Sequence, residues 1–386
     1  MRLARPSPDL PVDLLVRLPM IPEHLWATVA DPEVAGEELA VGTGPYRLVD
    51  YQPSQLYRFE ANRDYALGTP ALDTVVMPVI PEPATAFAAL RAGEVDATSE
   101  SLEPQLVEQF RADPALTLLE SPSFSLQLLA LNTERAGLDQ VAVRQAVSRA
   151  IDVDRLVEVV LLGSGIPGDP GFLHPESPLS AVETKHRYDP AEARTLLDQA
   201  GAVPGPDGIR VLNGAPLAYT LLAYANDPQR VRMAELIRDM LGEVGIGVTV
   251  QTQEMAAVDD LVWPGIRRLP GPQLRHGDVA VDGAGIAVQR QVRLAGALLA
   301  GRGQVQHRGF TQPRADALVD ELGSTVDETR RTELVAELQR LIAEQVPIVP
   351  LLWPLEQYAV RAEAFDDWVV QKGAGIVNRS SFVADG

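Results

Sequence analysis

The residue types that most often carry chemistry are present in this chain, but not in catalytic spacings. The five histidines, His24, His174, His186, His276 and His307, are isolated, and no two sit four apart as a metal on one helical face would require. His24, beside proline and tryptophan, reads as a packed surface residue rather than a ligand. There is no cysteine, hence no thiolate ligand, thiol nucleophile or disulfide framework. No GxSxG or HExxH occurs, and the glycine runs GSGIPG and GAGIAV lack the lysine and strand-to-helix context of a phosphate cradle. The acidic pairs Asp259-Asp260 and Asp366-Asp367 are adjacent in sequence, so their side chains diverge on a helix or strand and do not suit a general acid facing a base. The expectation is therefore no catalysis, no metal and no cofactor, with a hydrolase on an α/β scaffold kept as the alternative.

The elements that would position a binding site are easier to read. Gly42 to Tyr65, GTGPYRLVDYQPSQLYRFEANRDY, gives a tight loop followed by two alternating runs that turn at Gln52-Pro53, a hairpin. LDTVVMPVI reads as a buried strand, and PATAFAALRAGEVDA as a helix with Ala86, Phe87 and Leu90 on one face, closed at Gly93. Residues 116 to 133 hold two apolar runs separated by Ser121-Pro122-Ser123. Val143, Ala146, Val147, Ala150 and Ile151 recur at helical spacing, and Asp152 caps a second helix ending at Gly163. YDPAEARTLLDQAG has Asp189 as cap, Pro190 first, Glu192 completing a capping box and Gly201 at the end, with Leu196, Leu197 and Ala200 as its stripe. The strand LAYTLLAY, a helix from Asp227 to Val244 and the strand GIGVTVQTQE then imply a crossover and a partly parallel sheet. DETRRTELVAELQRLIAEQ makes an amphipathic helix with Leu334, Leu338 and Leu341 aligned, and VPIVPLLWPLEQYAV returns as a strand. The class is α/β.

Composition narrows the partners. With 33 basic against 53 acidic residues the net charge is -20, which repels nucleic acid and anionic membranes. A length of 386 residues that are 46% hydrophobic supports two or three cored domains. MRLARPSPDLPVDLLVRLPMIP has no unbroken apolar stretch, so no export signal is visible, and no later window of about 18 apolar residues suits a membrane span.

Several of these blocks together resemble the family 5 extracellular solute-binding proteins, the dipeptide, oligopeptide and nickel receptors of ABC importers. The resemblance rests on PMIPEHLW, on GTGPY with its hairpin and NRDYALGTPALD, on RAGEVDA, and on NT followed by VRQAVSRAID and the glycine-proline loop to HPESP. FDDWVV is similar to the family's final core turn, around Trp368. The resemblance implies a two-lobed, type II periplasmic-binding-protein-like fold with mixed sheets. It matches the later part of a family member, so the fold is expected to be N-terminally truncated. Residues 1–122 would form part of lobe I, 123–345 lobe II, and 346–386 the return that completes lobe I.

The family's properties imply a peptide or peptide-like solute bound in a cleft between lobes, ABC permease subunits as membrane partners, a monomer and an extracytoplasmic location. Ligand contacts are expected at Asn132 and Thr133 near the first crossing, Asp278 and Asp282 in the strand region GDVAVDGAGIAVQRQ, and Trp353 on the return, with Trp263 and Tyr358 as second choices. Asp278 falls where the family's strand is acidic, while Ala284 falls near the family's tryptophan and no Asp-Pro pair follows. Asp282, beside Gly283, suits a ligand ammonium or the cap of a turn. A non-transporting remnant or regulatory binding module is the other alternative.

Overall fold

The computed structural model describes residues 20–31, 40–123, 125–180, 187–254, 312–372 and 374–383, with a few isolated positions besides. The chain divides into two compact units. One contains Pro122–Leu355, and the other holds the described residues from 20 to Ser121 together with those from Glu356 onward. No helix among the described residues is long and apolar enough to cross a membrane.

The second unit begins with a single turn, α1 (Glu23–Trp26), and the antiparallel sheet β1 (Tyr46–Gln52), β2 (Leu56–Ala61) and β3 (Thr74–Pro78). Gln55 N–H donates to Gln52 O at 2.9 Å, and Ser54 takes φ 57, so the hairpin turns where the sequence indicated. The register sets Leu48, Phe59 and Val75 in one row and Tyr51, Tyr57 and Met77 in the next, with Tyr51 and Tyr57 stacked at 4.8 Å. Asp50 opposite Arg58, and Arg47 opposite Glu60, occupy the other face. LDTVVMPVI is thus not a buried strand. As β3 it pairs on one side only, and its alternation leaves Val76 56% exposed while Val75 and Met77 are half-buried.

Helix α2 (Pro83–Ala92) closes at Gly93, φ 77, and packs Phe87 and Leu90 against Val107 and Phe110 of α3 (Pro104–Arg111). Strand β4 (Thr117–Pro122) leads to the boundary between the units.

In the first unit, β5 (Gln127–Ala130) precedes α4 (Val141–Ala150) and α5 (Val153–Leu161). All five apolar positions read at helical spacing in this stretch, Val143 to Ile151, are fully buried. Helix α5 stops two residues before the expected Gly163, with its cap Leu162 in the left-handed region at φ 51. Strand β6 (Gly165–Pro167) follows, then α6 (Pro190–Gln199) and a small sheet of β7 (Val203–Pro204), β8 (Arg210–Leu212) and β9 (Ala215–Pro216). Strand β10 (Ala218–Tyr224), helix α7 (Pro228–Glu243) and strand β11 (Gly247–Gln253) form the predicted crossover, and β10 and β11 are parallel in register from Ala218–Gly247 to Tyr224–Gln253. Helices α8 (Pro313–Leu322) and α9 (Glu328–Gln345) then feed β12 (Ile348–Val360), which pairs antiparallel with β5 and β6 and lies beside β4. The last turn, α10 (Arg379–Phe382), brings Phe382 onto Tyr46, Phe365 and Trp368.

The helix ends are finished by charge. Asp152, Asp189, Asp227 and Asp327 each accept a backbone N–H three residues on, capping α5, α6, α7 and α9. At the other ends the orphan carbonyls are met by arginine: Arg361 on Leu90 O and Arg91 O of α2, Arg331 on Leu322 O of α8, and Arg194 on Glu243 O of α7. Arg144 is the most buried of this set. It donates from Nε to Gln345 O at 2.8 Å, at the end of α9, and from its Nη1 to Leu138 O at 2.8 Å. Burial pushes its guanidinium below the usual arginine range, with nearby Asp139 acting in the opposite direction.

Arg144→Met should lower the free energy of unfolding by about 3 kcal/mol in urea titrations, because one buried and one half-buried carbonyl lose a charged donor. Arg144→Lys should recover little, since a point charge cannot span both oxygens. A loss below about 1 kcal/mol would show that the carbonyls find other donors.

Two phenols give a pH signature. Burial pushes Tyr219 up to about 12, and burial followed by Glu356 pushes Tyr358 up to about 12. Folded-state values above the ordinary 10.0 mean that stability is level below that pH and falls as pH rises from there towards 12. Tyr219→Phe and Tyr358→Phe should each flatten that alkaline slope in pH-dependent urea titrations, and an unchanged slope in both would exclude these groups as its source.

Candidate ligand-binding site

The expected ligand contacts fall into different settings. Asn132 and Thr133 follow β5, where Leu131 N–H donates to Pro347 O at the start of β12. Asn132 Oδ1 accepts from Glu134 N–H at 3.1 Å and Asn132 O from Arg135 N–H, so this residue builds a turn and leaves the loop half-buried at the surface. Trp353, by contrast, is 1% exposed. It pairs with Ile166 of β6, sits edge-on to His174 at 5.0 Å and packs with Phe172, Leu318 and Leu338 in one core cluster. The β12 register puts Trp353 six residues beyond Pro347, roughly 20 Å along the strand, so Asn132 and Trp353 are not brought together.

Tyr358 belongs to the second unit, buried with Val360 and Ile376, its hydroxyl 3.4 Å from Glu356 Oε2. A side chain at Gly375 would come within 2.9 Å of that hydroxyl, so the turn at φ 68 closes directly over the phenol. Asp278, Asp282 and Trp263 lie outside the described residues.

A different group gathers at the carboxyl end of β10, where a strand passes into a crossover helix. That is the position at which open α/β sheets present ligand-binding residues. Arg230, in the first turn of α7, lies with its guanidinium carbon 4.7 Å from the centre of the Tyr224 ring. Its Nε is 3.1 Å from Gln127 Oε1 of β5 and 3.0 Å from Asp227 Oδ2. A stacked, oriented guanidinium is the kind of group that suits planar oxygen acceptors such as carboxylates and amide carbonyls, as a flexible lysine is not. The signal was present in the sequence as AYANDPQR, where an aromatic strand end meets an Asp-Pro helix start with arginine three residues beyond the cap. What the sequence did not show was that Gln127, 103 positions earlier, would face it.

Among the described residues no three His, Asp or Glu side chains gather closely enough to hold a metal.

Residues 1–265 match the model of the bacterial extracellular solute-binding proteins, family 5 Middle. Heme-binding protein A of Haemophilus influenzae is 28% identical over 322 residues, 81% of this chain and 54% of that protein. Di/tripeptide-binding protein 1 of Pseudomonas aeruginosa is 27% identical over 317 residues, 81% of this chain and 55% of its own length. The chain therefore spans about half the length of the curated relatives it matches. The crystal structure of the ABC transporter substrate-binding protein CtaP from Listeria monocytogenes superposes with a TM-score of 0.77 at 20% identity, covering 99% of this chain and 74% of that one. These α/β units have the fold of periplasmic solute-binding proteins, and the chain belongs to the family 5 bacterial extracellular solute-binding proteins.

Proposed function

We propose that this chain is the solute-binding subunit of an ABC importer, acting outside the cytoplasm and taking a peptide or peptide-like solute. The match over residues 1–265 is the observation that carries this reading. The names of relatives that bind heme and di- or tripeptides set the range of ligands within it. Two lobes, residues 1–122 with 346–386 and residues 123–345, would close on the solute, and the closed form would be read by permease subunits in the membrane. Energy for closure would come from tighter binding of the closed than the open form. The protein would work as a monomer and leave its ligand chemically unchanged.

For contacts we propose Asn132 and Thr133 on the loop after β5, Arg230 on Tyr224 at the β10 end, Asp278, and Asp282 for a ligand ammonium, with Trp263 as a second choice. Arg230 suits the oxygen end of a peptide, and a carboxylate suits its amine. Trp353 and Tyr358 would serve from within their cores, as supports to neighbouring strands rather than as exposed faces.

Di- to pentapeptides present at about 100 times their dissociation constant should stabilise the protein by about 2.7 kcal/mol, read as a rise in melting temperature. Arg230→Ala should weaken the response to peptides with a free C-terminal carboxylate more than to the amidated forms. Peptides, heme and oligosaccharides that all leave the melting temperature unmoved would end the receptor reading.

A further inference from the structure

We propose that residues 162–177 form a strap over β12 that acid releases through His174. The strap lies directly on the strand backbone. A side chain at Gly168 would approach Pro350 C to 2.5 Å, Gly168 N–H donates to Leu351 O at 2.9 Å, and Leu355 N–H donates to Ser164 O at 2.9 Å. Its sheet pairing is short, three residues from Gly165 to Pro167 against Leu352–Pro354. Two residues in it work against the closed form, since Leu162 at φ 51 and Phe172 at φ 56 are held in a region that side-chain-bearing residues avoid. A segment with few ladder bonds and a strained backbone opens at lower free energy than the core around it.

The fastening inside the strap is the His174 imidazole. It is fully buried, and its Nδ1 accepts the Glu176 backbone N–H at 3.1 Å, which requires that nitrogen to be unprotonated. A proton added there would point at an N–H donor and put a cation edge-on to Trp353, whose cluster includes Phe172, Leu173 and apolar side chains of α8 and α9. The charged groups on the elements packed here are Asp169 and Glu176 in the strap itself, Arg314, Asp316, Asp320 and Glu321 on α8, the arginines and glutamates of α9, and Glu356 on β12, beside the neutral Gln339 of α9, whose amide donates to Leu179 O at 2.7 Å. The carboxylates favour an imidazolium, yet none removes the conflict at Nδ1, so the charged ring is best accommodated by leaving. The closed strap thus has its full stability while histidine is neutral and loses it as pH falls through the imidazole range.

Hydrogen exchange of the whole chain, scaled to intrinsic rates, tests this between about pH 8 and about pH 5. Amides of 165–177 and of Leu351–Leu355 should lose protection by about tenfold or more at the acid end, while those of α4 and α7 keep theirs. His174→Asn places an oxygen where Nδ1 stands and cannot titrate, so its strap should hold the same protection at both pH values. Three outcomes would overturn the proposal: constant strap protection in the wild type, an equal acid loss in His174→Asn, or loss of protection in the strap and α4 together. The wild-type profile alone suffices if the variant does not fold.

Discussion

One strand enters all four hydrophobic clusters formed by the described residues. Val349, Leu351 and Leu352 of β12 enter the cluster built by α4, α5 and α7, while Ile348 and Trp353 enter the one built by α8 and α9. Beyond the boundary at Leu355, the same strand gives Ala359 to the Phe87–Phe110 cluster and Tyr358 and Val360 to the cluster around Ile376. A strand buried on both faces must have its polar backbone met at its edges, because an unpaired buried amide or carbonyl is costly. Pro350 and Pro354 remove two of its donors, and β4, β5 and β6 pair with part of the rest, joined by Ser123 N–H on Pro354 O, Gly168 N–H on Leu351 O and Leu102 N–H on Gln357 O.

Around that strand, the helices are held less by side-chain salt bridges than by charges placed on their own termini. Two of the 33 basic residues are lysine, Lys185 and Lys372, so arginine carries nearly all the positive charge. Its fork reaches several carbonyls at once, as Arg144 and Arg361 do, and its weak hydration makes burial tolerable. The surface pairs, such as Arg330 between Glu321 and Glu333, contribute little by comparison because solvent screens them.

Local signals were legible and distant ones were not. The aspartate caps at 152, 189, 227 and 327 sit within three residues of what they bind, so the sequence displays them directly. Arg144 reaches 201 residues forward and Arg361 reaches 271 back, and no local pattern marks either. LDTVVMPVI read as buried because β-branched residues suit both central and edge strands, and only pairing tells them apart. Trp353 was expected at a ligand from its place on the return strand, but its proline neighbours gave no sign that β6 would cover it. The family was recognisable from short blocks because turn and cap residues are the most position-specific part of such a fold, whereas the solute is chosen by side chains that the blocks leave free.

The position of β12 along the chain has a consequence for synthesis. A ribosome releases the α2–α3 pair, the α4–α5 pair and the α8–α9 pair before residues 348–360 exist, and each emerges with an apolar side to which those residues contribute. The interiors of both units thus stay unfinished until this late strand arrives, so their completion is tied to one segment.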